Sequence, residues 1–241
     1  CPEGLAAMQN VYLAIVLSPL FGAIIAGLFG RKIGRAGAHW ATIIGVAVSF
    51  LLSLLVLRHH VLEGAEPYNG TVYTWMVIEG IRLEVGFLVD NLTAVMIATV
   101  TVVSLMVHIS TIGYMHDDDG YQRFFSYIAL FTFAMLMLVM ANNFLQLFFG
   151  WEGVGLVSYL LIGFWYKRES AIFASLKAFL VNRVGDFGFL LGIAAVLMAF
   201  NSLDYADVFA AAPLMAKVTV HIIPGVEWSL MTVTCILLFI G

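Results

Sequence analysis

Apolar runs of about 20 residues recur along this chain at short intervals, each long enough to cross a ~30 Å hydrocarbon core as a helix. Their pattern predicts helices near 11–29, 39–58, 90–114, 123–141, 143–166, 171–200 and 222–241. The last run reaches Gly241 without a polar flank, which predicts that the sequence is the amino-terminal piece of a longer protein, cut within its seventh helix. Between the second and third runs the period changes. Ile81, Leu83, Val85 and Phe87 alternate with Arg82, Glu84 and Gly86, and Glu79-Gly80 supplies a turn, so residues 67–89 form a β-hairpin. The chain therefore divides into an amino-terminal segment 1–10, two helices over 11–66, the hairpin 67–89, and a core of five helices over 90–241. The fold class is an all-α polytopic membrane bundle bearing one hairpin.

Composition agrees with the pattern. Hydrophobic residues make up 62% of the chain and charged residues only 11%, with a mean hydropathy of +1.01, against about 25% charged in ordinary globular chains. Nothing in the net charge of −4 points to nucleic acid. The first apolar run is a retained helix, because its cations Arg31, Lys32 and Arg35 follow it, whereas a signal peptide carries them in front. Residues 1–7, ahead of Met8, resemble upstream read-through. The loops after the first, third and fifth runs hold Arg31, Lys32, Arg35, Arg123, Lys167 and Arg168; the opposite loops hold Arg58, Arg82 and Lys217 among six acids. This asymmetry predicts an outside amino terminus and a cytoplasmic loop at 30–38.

Against this background a few polar residues stand out. Glu152 follows Asn143 by nine residues, roughly 14 Å along a helix, and so falls near mid-membrane. A charge at that depth costs at least ~2.5–3.5 kcal/mol. Gly150, Gly153 and Gly155 leave room beside it for another helix or for water. A carboxylate kept from bulk water can exchange a proton near neutrality, which points to a relay rather than a purely structural acid. In the sixth run Arg183 and Asp186 are three apart and share a face, whereas Lys177 points about 180° from Asp186. The Arg183–Asp186 pair is equally compatible with simple neutralisation and with function. Lys177 needs a partner from another helix, and Glu152 is the nearest by sequence. His108 and Asp90 fit packing and capping. His59, His60, His116 and His221 lack metal-ligand spacing, and Cys1 and Cys235 form no thiolate site, so no metal is expected.

Four strings carry a resemblance. FLVDNLTAVM at 87–96, DDDGYQRFFSYIALFTFAMLMLV, NNFLQLFFGWEGVGLVSYLLIGFWY and KAFLVNRVGDFGFLLG look like the third to sixth helices of the antiporter-like subunits L, or chain 5, of NADH-quinone oxidoreductase, respiratory complex I. The likeness implies that Glu152 is the family's essential glutamate, that Lys177 is its sixth-helix lysine, and that Arg183 with Asp186 is a charged pair for coupling or the subunit interface. It implies a lysine on a broken seventh helix, a central lysine on the eighth and a lateral helix beyond Gly241. It further implies proton translocation in a bacterial cytoplasmic membrane, driven by alternating separation of glutamate and lysine. NADH, FMN, iron–sulfur clusters and quinone would belong to other subunits and no cofactor to this chain, whose partners would be a neighbouring antiporter-like subunit, the bilayer and protons. Two rival readings are an Mrp-type cation/proton antiporter subunit and a membrane scaffold of a redox complex that carries no protons.

Overall fold

A computed structural model describes residues 2–78, 81–223 and 226–241. Helix α1 spans Pro2–Leu57 but is not one rod, because Gly34 leaves helical geometry at φ 72° and ψ −174°. That left-handed region suits glycine. The two arms run back along each other: Ser18 Oγ donates to the Gly45 carbonyl at 2.8 Å, and Ser49 Oγ to the Ile15 carbonyl at 2.7 Å. A Cβ on Gly45 would meet the Ser18 carbonyl oxygen at 2.6 Å, so the arms approach at backbone distance. The two spans expected over 11–29 and 39–58 are these arms.

Helices α2 (Asn91–Tyr114), α3 (Tyr121–Val139), α4 (Phe144–Ile162) and α5 (Glu169–Phe200) follow. Among the described residues five helices, counting α1 once, are long and apolar enough to cross a membrane. Asp90 caps α2, its Oδ1 accepting from Thr93 N at 2.7 Å, which is the capping role expected of it. Two stretches depart from expectation. Helix α6 (Tyr205–Met215), capped by Asp204, lies in a stretch where no helix was predicted. The span predicted over 222–241 is not one helix: β3 (Thr219–Ile223) pairs antiparallel with β4 (Val226–Ser229), and only Leu230–Ile240 forms a helix, α7. Eleven residues reach about 16 Å, short of a membrane crossing. A short apolar run does not by itself separate strand from helix, and the β-branched Thr219, Val220, Ile222 and Ile223 favour the strand.

The predicted hairpin is present as β1 (Tyr68–Ile78) and β2 (Ile81–Val89), antiparallel, with register shifts at Thr71/Tyr73 and Thr74/Met76. Its predicted turn, Glu79-Gly80, lies outside the described residues. The inner end of β2 buries Phe87 and Val89 in a core with Tyr12, Val56, Ile97 and Leu136. Polar groups at the α3–α4 turn hold it there. Gly86 N donates to Gln146 Oε1 at 2.9 Å, Asn143 Nδ2 to the Glu84 carbonyl at 3.0 Å, and Leu88 N to the Met140 carbonyl at 3.0 Å. The same turn reaches the α5–α6 link through Phe144 N to the Leu203 carbonyl and Tyr205 N to the Asn142 carbonyl, both 3.0 Å.

Helix α4 lies tightly against α3 at Gly150, where a Cβ would come 2.7 Å from Leu138 Cα. Gly150→Val is therefore expected to force the helices apart and destabilise the bundle by about 1–3 kcal/mol. A lower thermal midpoint of the assembled protein in detergent would register the effect; an unchanged midpoint would show that the contact yields.

Candidate functional site

The sequence pattern of α4 is apolar around its middle, so whatever polar group stands there must find its partner on another helix. Glu152 stands there, and that partner is α5. Arg183 Nη1 forms an ion pair with Glu152 Oε2 and lies 3.3 Å from Asp186 Oδ2. Asp186 is closed from the other side by the indole of Trp151, whose Nε1 donates to Asp186 Oδ1 at 3.0 Å. One guanidinium thus bridges two carboxylates contributed by two helices, and the α4 tryptophan locks the second carboxylate in place. The guanidinium also lies over the Phe179 ring at 4.7 Å. Gly155 makes room for it, since a Cβ there would stand 3.2 Å from Arg183 Nη2.

The spacing of α5 explains this set. Phe179, Arg183 and Asp186 recur at four and three residues and share the face toward α4. Lys177 is 120° from Arg183 and 180° from Asp186 on the same helix. Its side chain is exposed and forms no ion pair among the described residues. Glu152, the candidate partner nearest to Lys177 by sequence, is joined to Arg183 instead, because Arg183 is the cation on the α5 face that packs against α4. Arg183–Asp186 pairing occurs as predicted.

Burial is uneven. The Asp186 side chain is 8% exposed, while Glu152 and Arg183 keep about a quarter. A cavity of about 300 Å³ between α4, α5 and α7 opens beside Asp186, lined also by Trp151, Gly155, Asn182 and Gly185. That volume holds several waters at about 30 Å³ each. Arg183 Nε is buried without a protein partner. Two carboxylates and one guanidinium leave the cluster one negative charge in excess, and one proton brings it to neutrality.

His108 belongs elsewhere, buried between α2 and α3. Its Nδ1 donates to the Ser104 carbonyl at 2.8 Å, and Ser104 Oγ meets Thr132 Oγ1 at 2.6 Å. Trp151 was not singled out from the sequence. An indole N–H next to a mid-membrane acid is itself a group in need of an acceptor, and that was the available signal.

Comparison with known proteins places these residues in a wider setting. Residues 75–125 match the family model "NADH-Ubiquinone oxidoreductase (complex I), chain 5 N-terminus", and residues 141–241 match "NADH:quinone oxidoreductase/Mrp antiporter, TM". The second match contains Glu152, Lys177, Arg183 and Asp186. Among similar proteins, NADH-quinone oxidoreductase subunit L of Neisseria meningitidis serogroup B is 65% identical over 235 residues, covering 97% of this chain and 35% of the relative. The subunit L of Rickettsia bellii is 44% identical over 233 residues, covering 97% and 36%. NADH-ubiquinone oxidoreductase chain 5 of Dictyostelium discoideum is 41% identical over 232 residues, covering 96% and 34%. The chain thus spans about a third of the length of these relatives. A solved structure of the membrane-bound sulfane sulfur reductase, an archaeal respiratory membrane complex, superposes with a TM-score of 0.77 at 18% identity, covering 96% of this chain and 44% of that one. At that identity the likeness concerns the fold.

Proposed function

This chain belongs to the family of subunit L, or chain 5, of NADH-quinone oxidoreductase, and from that premise we propose that it forms part of a proton-translocating subunit in the membrane arm of complex I. The observation that carries the proposal is the Glu152–Arg183–Asp186 cluster, one proton short of neutrality and bordered by a cavity. In this reading electron transfer from NADH to quinone takes place in other subunits, which hold the FMN and iron–sulfur clusters, and this chain contributes no redox centre. Coupling is electrostatic. A cation drawn toward Glu152 favours its ionised form, and the cation's withdrawal lets the carboxylate take up a proton.

Arg183 is bound to Glu152 in the present arrangement, so it is the group whose displacement toward Asp186 would change the charge balance at Glu152. Lys177, on the opposite face of α5, is in this reading the link to the next charged group along the arm. The protein resides in a bacterial cytoplasmic membrane with its amino terminus outside, on the strength of the loop cations. Its partners are the other membrane-arm subunits, above all the neighbouring antiporter-like one. The outward side chains of β1, including Tyr73, Trp75 and Val77, are exposed and apolar enough for such a contact.

A second reading draws on the printed name of the model matched over 141–241, which joins quinone oxidoreductases to Mrp antiporters. The two separate on sodium. NADH-driven proton uptake by vesicles holding the complete complex is expected to be unchanged when sodium is replaced by choline. A sodium-dependent rate would move the assignment to a cation/proton antiporter.

A further inference from the structure

At the end of the bundle where the α1 bend meets the α2–α3 and α4–α5 turns lies a cavity of about 1070 Å³. It is separate from the Glu152 cluster and the translocation reading makes no use of it. Four cations line it: Arg31 from α1, Arg123 from α3, and Lys167 and Arg168 from the α4–α5 turn.

Two helices begin at this cavity without the usual side-chain caps. Gly120, the N-cap of the 19-residue α3, offers no side-chain acceptor, and the first turn of α3 has no acidic residue. Arg168, the N-cap of the 32-residue α5, makes no capping bond. Both residues line the cavity. Neither start is an open anion seat, since Asp118 Oδ1 accepts from Gly120 N, the Phe164 ring stands over Gly120 and Glu169 lies in the first turn of α5, so an anion here is held by the cations.

Arg123 is the most firmly held of these cations. It is sandwiched between the Phe164 ring at 4.5 Å and the Tyr166 ring at 5.1 Å, and Nη2 donates to the Phe164 carbonyl at 2.9 Å. Its Nε is buried with no partner. Among the described residues neither Arg123, Arg31 nor Lys167 forms an ion pair with a carboxylate. A guanidinium with unused donors, held against aromatic rings at a helix start, is matched to an oxyanion.

The same wall carries three carboxylates, which decide the class of ligand. Asp118 is occupied: Trp165 Nε1 donates to its Oδ2 at 2.9 Å and Gly120 N to its Oδ1 at 2.7 Å, and these bonds hold its carboxyl below the usual carboxylate range. Asp117 accepts from its neighbour His116. Asp119 has no hydrogen-bonded partner among the described residues and also lines the cavity. The wall thus offers cations for a phosphate and, in Asp119, a free carboxylate for an ammonium, the two charges that a zwitterionic headgroup carries. Tyr127, Trp165 and Tyr166 on the rim are the residue types that settle at headgroup depth, where basic pockets between transmembrane helices take lipid headgroups.

We infer that this cavity is a headgroup site for an aminophospholipid, its phosphate held by Arg123 and Arg31 and its ammonium facing Asp119. The lipid joins the α1 bend to the α4–α5 turn, two segments far apart in sequence.

The test uses the complete membrane complex, delipidated in detergent and retitrated with phosphatidylethanolamine, phosphatidylglycerol or inorganic phosphate, with bound lipid counted by native mass spectrometry. The expected result is that phosphatidylethanolamine is retained more tightly than phosphatidylglycerol. Arg123→Gln and Arg31→Gln should each weaken that retention about tenfold, a difference of about 1.4 kcal/mol. Asp119→Asn should abolish the preference between the two lipids. Should Arg123→Gln fail to assemble, Arg31→Gln and Asp119→Asn, both at exposed side chains, carry the test alone. Equal retention of the two lipids by the unsubstituted complex would overturn the proposal, as would retention indifferent to all three substitutions. Displacement of the lipid by millimolar inorganic phosphate would make this a free-phosphate site and overturn it equally.

Discussion

Glu152→Gln is expected to leave the complex assembled but to cut its coupled proton uptake per NADH oxidised by about tenfold or more, since a positioned proton-transfer group contributes ~10²–10⁴-fold. The substitution preserves size and hydrogen-bonding capacity, so the packing of α4 against α3 and α5 has no steric reason to change. What it removes is the exchangeable proton and one of the two negative charges gathered around Arg183. The remaining Arg183–Asp186 pair is neutral and has no excess charge for a proton to relieve. Proton uptake in vesicles, measured beside the amount of assembled complex, separates the possibilities. Normal uptake would make Glu152 a structural acid and give weight to a scaffold that carries no protons.

Arg183→Leu is expected to act on stability as well as on transport. It deprives two carboxylates of their common cation, and losing one partner of a buried pair costs about 3–5 kcal/mol. The lower part of that range applies, because Glu152 and Arg183 each keep about a quarter of their side chain exposed. Arg183→Lys should recover part of the stability but not full coupling, since an ammonium does not present the planar fork that spans both carboxylates. The double variant Glu152→Gln/Arg183→Leu should be more stable than Arg183→Leu alone, because one of the two stranded charges is gone. Thermal midpoints of the four proteins form the cycle. Strictly additive shifts would mean that the ion pair between α4 and α5 has no energetic weight.

Much of this arrangement was legible in the residues. Long apolar runs announced α2 to α5, strict alternation announced the hairpin, and the cost of a mid-membrane acid singled out Glu152. The same-face rule paired Arg183 with Asp186. The rule stops at the edge of one helix. Which α5 face meets α4 is decided by packing at Phe179, Arg183 and Gly155, so sequence proximity could offer Glu152 only as a candidate partner for Lys177. Helix α6 escaped notice because it is only 11 residues long with Pro213 inside it. The expected helix over 222–241 takes in β4 and the end of β3 because their apolar residues lie next to the apolar run of α7, although Pro224-Gly225 and Glu227 interrupt the pattern. The lipid site has no linear signature at all, since its parts come from three turns.

The turn between α3 and α4 has a mechanical consequence. Asn142, Asn143 and Gln146 tie the start of α4 simultaneously to β2 and to the α5–α6 link. A helix moored at one end to two other segments cannot slide like a piston without breaking several hydrogen bonds at once. If Glu152 exchanges charge as proposed, α4 would serve as the stator and the change would proceed by rotation of side chains.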